Sequence, residues 1–254
     1  MLRKWTDHAS TEWLSTALGE SLLAHEQRVV EEALDGIFGE ECVQVGQWGD
    51  PRGFLKYSRT QRSHLFAGAL PDEAQPGTVV VGEPHKLPIE DDAVDCVLLP
   101  HTLDYSDRPH AILREVHRVL RPNGQLVLLG FRPGGLWGLR RLVPGAGLPP
   151  GADHTISDRR LSDWLKVLDM RIQGISSYFF RWPLPGLKGA ASPAWESRGQ
   201  RWWPEFSACY LMAAQKRVTT LTPVRPRWKK KPKVVAGLVE PSTRVSRIRF
   251  DPDR

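Results

Sequence analysis

The sequence predicts an α/β fold, a Rossmann-like, doubly wound, mostly parallel seven-stranded sheet whose last strand is antiparallel. Two observations carry this prediction. Short apolar runs typical of strands alternate with amphipathic helical segments and short loops, the pattern of parallel βαβ units. The last two strand-like runs flank a segment rich in Trp, Pro and Gly without helical periodicity, so we expect the final strand to enter antiparallel.

The first half of the chain is expected to begin with a helix and to continue into four strands. Residues Ser10–Phe38 read as a helix in two pieces hinged near Gly19, with an inward face that repeats at helical spacing and comprises Leu23, Val30, Leu34 and Ile37. Pro51–Gln61 reads as a short helix or turn. The predicted strands are Glu41–Gly46, His64–Ala69, Thr78–Glu83 and Asp95–Pro100.

The second half alternates in the same way until its end. Pro109–Leu120 is expected to be a helix, bounded by a proline at its start and by Pro122, Asn123 and Gly124 after it. A strand over Gln125–Phe131 follows, and after a Gly/Pro-rich loop come a helix over Ser157–Leu168 and two strands, Arg171–Phe180 and Phe206–Lys216.

The chain is expected to divide into three parts. Residues 1–40 form a helical lead, 41–217 the predicted domain, and 218–254 a basic tail that we expect to be disordered. The tail carries ten Lys or Arg and three Asp or Glu, which leaves 25 basic and 26 acidic residues elsewhere. The tail therefore accounts for the whole net charge of +6. Two interpretations of it stay open: it serves only solubility, or it binds RNA or another anionic surface through charge attraction.

Composition indicates a cytoplasmic globular protein. Hydrophobic residues make up 41% and charged residues 25% of the 254 residues. The start lacks an apolar signal-peptide core, and no run approaches the roughly 20 apolar residues that cross a bilayer. Three separated cysteines predict neither a zinc site nor a disulfide framework, and the eight histidines show no metal spacing.

A Gly-x-x-Gly turn, Gly46–Gly49, follows the first predicted strand. In open parallel sheets, ligands bind outside the carboxyl ends of the strands, where the strand order reverses. Gly46, Ala69, Glu83 and Pro100 all stand at such ends, so they are expected to surround one small molecule. The full Gly-x-Gly-x-x-Gly fingerprint is absent, which argues against a nicotinamide cofactor and its pyrophosphate.

The segment Val79–Phe131 resembles the core of class I S-adenosylmethionine-dependent methyltransferases, specifically the methyltransferase type 11 group. The resemblance is ordered and gapless. It lies in Glu83, Leu87-Pro88-Ile89, Asp91-Asp92, Asp95, His101, the run Arg118-Val119-Leu120-Arg121-Pro122-Asn123-Gly124 and the strand QLVLLGF. With the first strand included, it covers roughly residues 40–180.

The resemblance implies S-adenosylmethionine as cofactor and assigns its binding residues. The loop Gly46, Gln47, Trp48 and Gly49 would hold it after the first strand, and Glu83 and Pro84 would meet the adenine. Pro100 and His101 form the turn beside which the methionine part would lie. Tyr105, His154 and Tyr178 are the polar candidates near the expected mouth, and no catalytic residue is assigned.

Three departures from the family pattern affect cofactor binding. Gln44 replaces the usual acid of the first strand, and Trp48 replaces the second loop glycine. At the end of the second strand the ribose-binding acid is replaced by Gly68 or Ala69, with Asp72 and Glu73 nearby, and the link Leu70–Gly77 is short for a parallel crossover. Trp48 either lies over the sulfonium or adenine or fills the pocket; both alternatives stay open.

These residues give two leading hypotheses. The first is an S-adenosylmethionine-dependent methyltransferase with an unidentified acceptor, in which catalysis rests chiefly on aligning the acceptor with the methyl group. The alternative is a divergent protein that keeps the fold, has weak or no turnover and acts as a binding or adaptor module. The tryptophans between Tyr178 and Phe206 either cap the open end of the sheet, which we favour, or form a stacking platform.

Overall fold

The structure, a computed structural model, describes residues 12–68, 79–135, 137, 149–152, 154–180 and 193–217. The predicted tail, residues 218–254, lies outside the described residues and stays a prediction, as do the link Leu70–Gly77 and its Asp72 and Glu73. Within the described part, no helix is long and apolar enough to cross a membrane.

Seven strands form one sheet in the order β3-β2-β1-β4-β5-β7-β6. They are β1 (Phe38–Val45), β2 (Arg59–Ala67), β3 (Val79–Val81), β4 (Val94–Pro100), β5 (Leu120–Phe131), β6 (Met170–Tyr178) and β7 (Cys209–Lys216). Strands β1 to β5 pair in parallel, whereas β7 runs antiparallel to both of its neighbours. The predicted fold class, including the antiparallel last strand, is confirmed.

The described helices are α1 (Ala17–Leu34), α2 (Pro109–Val119), α3 (Asp158–Val167) and α4 (Pro193–Trp202). Thr16 caps α1, because its side chain accepts a hydrogen bond from the Gly19 amide at 3.2 Å. Ser157 caps α3 in the same way, and Pro109 stands at the start of α2, where its missing N–H costs nothing.

The sheet is covered on both faces by apolar helix rows. Helix α1 packs Leu22, Val30 and Leu34 into the cluster that contains alternate strand residues such as Cys96 and Leu98. Helices α2 and α3 pack on the other face, against a cluster that includes Val43, Val45, Val97, Leu99, Leu126 and Leu128. This alternation follows from strand geometry, since successive side chains point to opposite faces.

Three expectations about the helices need correction. The break in the N-terminal helix falls at Ser15 and Thr16, and Gly19 instead lies where an added Cβ would be 2.4 Å from the Trp13 carbonyl oxygen. The inward row of α1 is Leu22, Glu26, Val30 and Leu34, so Leu23 is only half-buried. The segment before the last strand, expected to lack a helix, contains α4.

The predicted aromatic cap is tested at two of its tryptophans, since only Trp202 and Trp203 have described side chains. Tyr178, Phe179 and Phe180 are buried at the end of β6. Trp202 and Trp203 are 67% and 57% exposed, so the capping prediction is wrong for these two. Trp182 lies outside the described residues.

Candidate functional site

The site begins where the sheet order reverses, between β1 and β4. From β1 the chain moves outward to β2 and β3 and then returns to place β4 on the other side of β1. The carboxyl ends of these two neighbouring strands therefore diverge into loops that leave in different directions. In open α/β sheets this is the position of the ligand crevice.

The structure brings together most of the predicted cofactor residues here. Gly46, whose amide donates to the Phe66 carbonyl oxygen at 2.8 Å, has φ 103°, and Gly49 has φ 68°. Such values favour glycine, and they reverse the chain sharply on either side of Gln47 and Trp48. Pro100 ends β4, and His101 turns the chain with φ 55°.

Trp48 lies inside this crevice. Its side chain is 2% exposed, and its ring centroid lies 4.6 Å from that of His101 and 5.9 Å from that of Phe131. The indole Nε1 donates a hydrogen bond to Glu26 Oε2 at 2.6 Å. Of the two predicted alternatives for Trp48, this placement is the one in which the ring fills the pocket.

Glu26 joins helix α1 to the ends of three strands. Besides Trp48, it is bonded through Oε1 to His101 Nε2 at 2.8 Å and accepts from the Tyr178 hydroxyl at 3.2 Å. Its side chain is fully buried. A buried carboxylate requires such partners, because an unpaired charge away from water is strongly destabilising.

His101 is held between two carboxylates. Its Nδ1 lies 3.1 Å from Asp104 Oδ2, and that carboxylate also accepts from the Phe131 amide at 3.0 Å. Although burial opposes the charged ring, Glu26 and Asp104 raise the pKa of His101 to about 9. For Tyr178, burial itself raises the pKa, and Glu26 adds to the effect, so its hydroxyl stays a neutral donor.

We call these five residues, Glu26, Trp48, His101, Asp104 and Tyr178, the Trp48 cluster. Glu26, Asp104 and Tyr178 were not predicted as cofactor residues. A signal for Glu26 was present, since it stands four residues from both Leu22 and Val30 on the apolar row of α1. His101 makes one local bond, to Asp104, and a second bond, to Glu26, that joins residues 75 apart in the chain.

Cys209 adds a thiol beside this cluster. Ligand atoms of Glu26, His101 and Cys209 lie within 4.8 Å of one another, a set with the chemistry of a metal site. Both ring nitrogens of His101 already have carboxylate partners. Burial, with Glu26 adding to it, raises the pKa of Cys209, which keeps the thiol protonated. The arrangement is therefore complete as a hydrogen-bonded cluster.

The two residues predicted to meet the adenine stand apart from this cluster. Glu83 and Pro84 follow β3, which is separated from β1 by β2. Pro84 is buried, whereas the Glu83 side chain is 42% exposed and lies 3.2 Å from His85 Nε2. Glu83 is therefore open to a ligand on its solvent side, at the strand end where the prediction placed it.

The surroundings of Gln44 and Trp48 decide whether S-adenosylmethionine, the implied cofactor, fits this crevice. Gln44 is fully buried; its Nε2 donates to the Gly46 carbonyl oxygen at 2.8 Å, and its Oε1 has no hydrogen-bond partner. That oxygen is an acceptor suited to the ammonium group of the methionine part. The space above the loop, however, holds the Trp48 ring, packed on His101. In this conformation the residues do not fit the methionine part of S-adenosylmethionine.

The other polar candidates differ in exposure. The His154 side chain is 47% exposed, with Nε2 3.9 Å from Asp107 Oδ1. Tyr105 is half-buried, and its ring centroid lies 5.9 Å from that of Trp48. His154 is therefore the more accessible of the two.

Comparison with known proteins places this chain among the methyltransferases. A methyltransferase domain family matches residues 59–128. YafS, an uncharacterized protein of Escherichia coli (strain K12), is 33% identical over 191 residues, which cover 73% of this chain and 72% of YafS.

Solved structures show the same fold at low sequence identity. A putative methyltransferase, in complex with the Trm112 methyltransferase activator of Haloferax volcanii, is 16% identical, with a TM-score of 0.58 over 86% of this chain and all of that one. A geranyl diphosphate methyltransferase in complex with S-adenosylmethionine is also 16% identical, with a TM-score of 0.52 over 84% of this chain and 95% of that one. With the sheet order and the Val79–Phe131 motifs, these findings show that the chain belongs to the class I S-adenosylmethionine-dependent methyltransferase family, in its methyltransferase type 11 group.

Proposed function

We propose that this chain is a divergent methyltransferase-fold binding module in which the Trp48 cluster closes the methionine end of the cofactor crevice. The observation that carries the proposal is the burial of Trp48, whose indole donates to the buried carboxylate of Glu26. A donor molecule would have to displace this ring and leave Glu26 with one partner fewer. Such a loss at a buried carboxylate costs a few kcal/mol, which opposes binding.

Isothermal titration of the full chain with S-adenosylmethionine and with its demethylated product tests this proposal. We expect no heat of binding with either ligand at concentrations up to about 1 mM, the range of weak affinities. Micromolar binding of either ligand to the unmodified chain would contradict it.

The second candidate is an S-adenosylmethionine-dependent methyltransferase with an unidentified acceptor. The family match, the unpartnered Gln44 Oε1 and the half-exposed Glu83 favour it. Gly46 and Gly49 flank the Trp48 loop with positive φ, so the loop has two points at which it can rotate and release the ring. For this candidate, Trp48 is part of a working site, and its replacement by glycine lowers cofactor affinity.

For either candidate, residues 218–254 supply a basic segment. We propose that this tail contributes charge attraction to RNA or another anionic surface, with an affinity that falls steeply as salt rises.

A further inference from the structure

Helix α4 presents one inward and one outward face. Glu196 is buried, and its Oε1 accepts from the backbone amides of Phe179 and Phe180. Gly199 lies on the same side, since an added Cβ there would be 2.5 Å from the Phe180 ring. The opposite face carries Arg198, Arg201 and Trp202, all exposed and spaced three and four residues apart.

Two further exposed rings follow α4 in the chain. The turn that follows α4, Pro204–Phe206, is a 3₁₀ helix, and the Phe206 amide donates to the Trp203 carbonyl oxygen at 3.0 Å. Trp203 is 57% and Phe206 48% exposed, and neither contacts another ring in the part of the chain described.

The charge on this surface is positive. Arg198 and Arg201 form no salt bridge with any described residue. Glu205, the acid between the exposed rings, is paired with Arg159 at 2.5 Å, which neutralises it. Helix α4 thus carries two exposed guanidinium groups without a salt bridge to a described residue, and three exposed aromatic rings lie at and just after its end, a combination that complements a chain of stackable bases and phosphates.

We propose that this surface, defined by Arg198, Arg201, Trp202, Trp203 and Phe206, binds single-stranded nucleic acid by stacking and charge. The proposal deepens the proposed binding function, on which it rests, by naming the partner class. Stacking on bases leaves Glu205 in water, whereas inserting Trp203 and Phe206 into a bilayer would carry the intervening carboxylate into an apolar zone. A nucleic acid therefore fits this surface better than a membrane.

The proposed binding surface lies at the same edge of the sheet as the ligand crevice. Tyr178, at the end of β6, pairs with Cys209, at the start of β7, and Cys209 pairs with Phe131, at the end of β5. Helix α4 belongs to the connection between Tyr178 and Cys209. A nucleic-acid strand bound there would lie at the same edge of the sheet as the ligand crevice.

Fluorescence anisotropy with the full chain and a labelled oligouridylate about twenty nucleotides long, longer than typical site sizes, tests the proposal. Replacing two of the three rings, Trp202→Ala with Trp203→Ala, is expected to weaken binding at least about tenfold. Arg198→Gln with Arg201→Gln should weaken binding by a similar factor and reduce its salt dependence between about 50 and 200 mM. Phe38→Ala is the matched control, because Phe38 is 70% exposed at the opposite end of β1; it should leave binding unchanged.

Unchanged affinity, within about twofold, in both double variants would overturn the proposal and leave the tail as the sole binding element. Loss of binding to phosphatidylserine vesicles in the ring variant, with oligouridylate binding intact, would overturn it in favour of a membrane surface. The assay contains no S-adenosylmethionine. Cofactor binding in the separate titration would therefore contradict the closed crevice without affecting this result.

Discussion

Glu26 Oε2 lies 2.6 Å from the indole nitrogen of Trp48, and this contact fixes a tryptophan where the family pattern has a glycine. The two residues come from a helix and a strand-end loop that are 22 positions apart. Their contact joins the N-terminal helix to the crevice, so opening the crevice and loosening that helix are coupled.

Glu26 is expected to be a major determinant of stability. Glu26→Ala removes the partner of Trp48, His101 and Tyr178 at once and should lower the free energy of unfolding by about 3–5 kcal/mol. Denaturant unfolding at neutral pH measures this. The matched control is Glu31→Ala, an exposed position on the same helix, with an effect of about 0.5 kcal/mol or less. Equal effects at the two positions would show that Glu26 contributes nothing through its contacts.

The Trp48 cluster should make stability depend on pH between 6.5 and 8.5. The pKa of His101 is raised from 6.5 to about 9, so its contribution is fully present below the unfolded value and is lost as pH rises through the folded one. We expect a loss of about 2 kcal/mol across this window. Denaturant unfolding at several pH values measures the slope, and His101→Gln should abolish it. An identical slope in that variant would assign the effect to other groups.

Asp95 should stabilise the junction of β1 and β4. Its Oδ2 accepts from the amides of Glu40 and Glu41 at 2.8 and 3.0 Å and from Arg121 at 2.8 Å. Asp95→Ala should cost about 1–3 kcal/mol in unfolding free energy, because these donors lose a charged acceptor. Asp163→Ala, at an exposed surface pair, is the control and should cost about 0.5 kcal/mol or less. A loss of unfolding free energy in Asp95→Ala no larger than that of the control would show that Asp95 does not stabilise this junction.

The fold was predictable because its signals are local. Strand runs such as Val94–Pro100 and the bounded helix Pro109–Val119 carry their periodicity and end signals in consecutive residues. Helix α4 was missed because its inward side rests on a carboxylate, Glu196, and a glycine, Gly199, rather than on apolar residues. Hydrophobic periodicity does not reveal a helix whose inward positions are polar and hydrogen-bonded to backbone amides.

The site was predictable only in part. The motifs located the loop Gly46–Gly49 and the turn at His101, but the side chain that meets them, Glu26, comes from a helix before the domain core. The position of Glu26 on the apolar row of α1 indicates that it faces inward, but the sequence does not indicate which side chains it meets there. The sequence alone therefore left open whether Trp48 stacks on a ligand or fills the pocket, because its contact with Glu26 is visible only in the structure.

The occupation of the methionine end of the crevice by Trp48 is tested most directly by calorimetric titration of Trp48→Gly with S-adenosylhomocysteine, compared with the unmodified chain. Trp48→Gly creates a cavity that costs about 3–5 kcal/mol, so a thermal melt must first show that it is folded. If it is not, Trp48→Ala takes its place. The control Trp164→Ala, which changes a ring packed with the helices on the other face, should bind no ligand.

We predict that the Trp48 variant gains binding of at least several-fold over the unmodified chain, because the ring's volume is released beside Gln44 Oε1. Tighter binding by the unmodified chain, lost on replacing Trp48, would contradict a closed crevice and make this tryptophan a working part of a cofactor site.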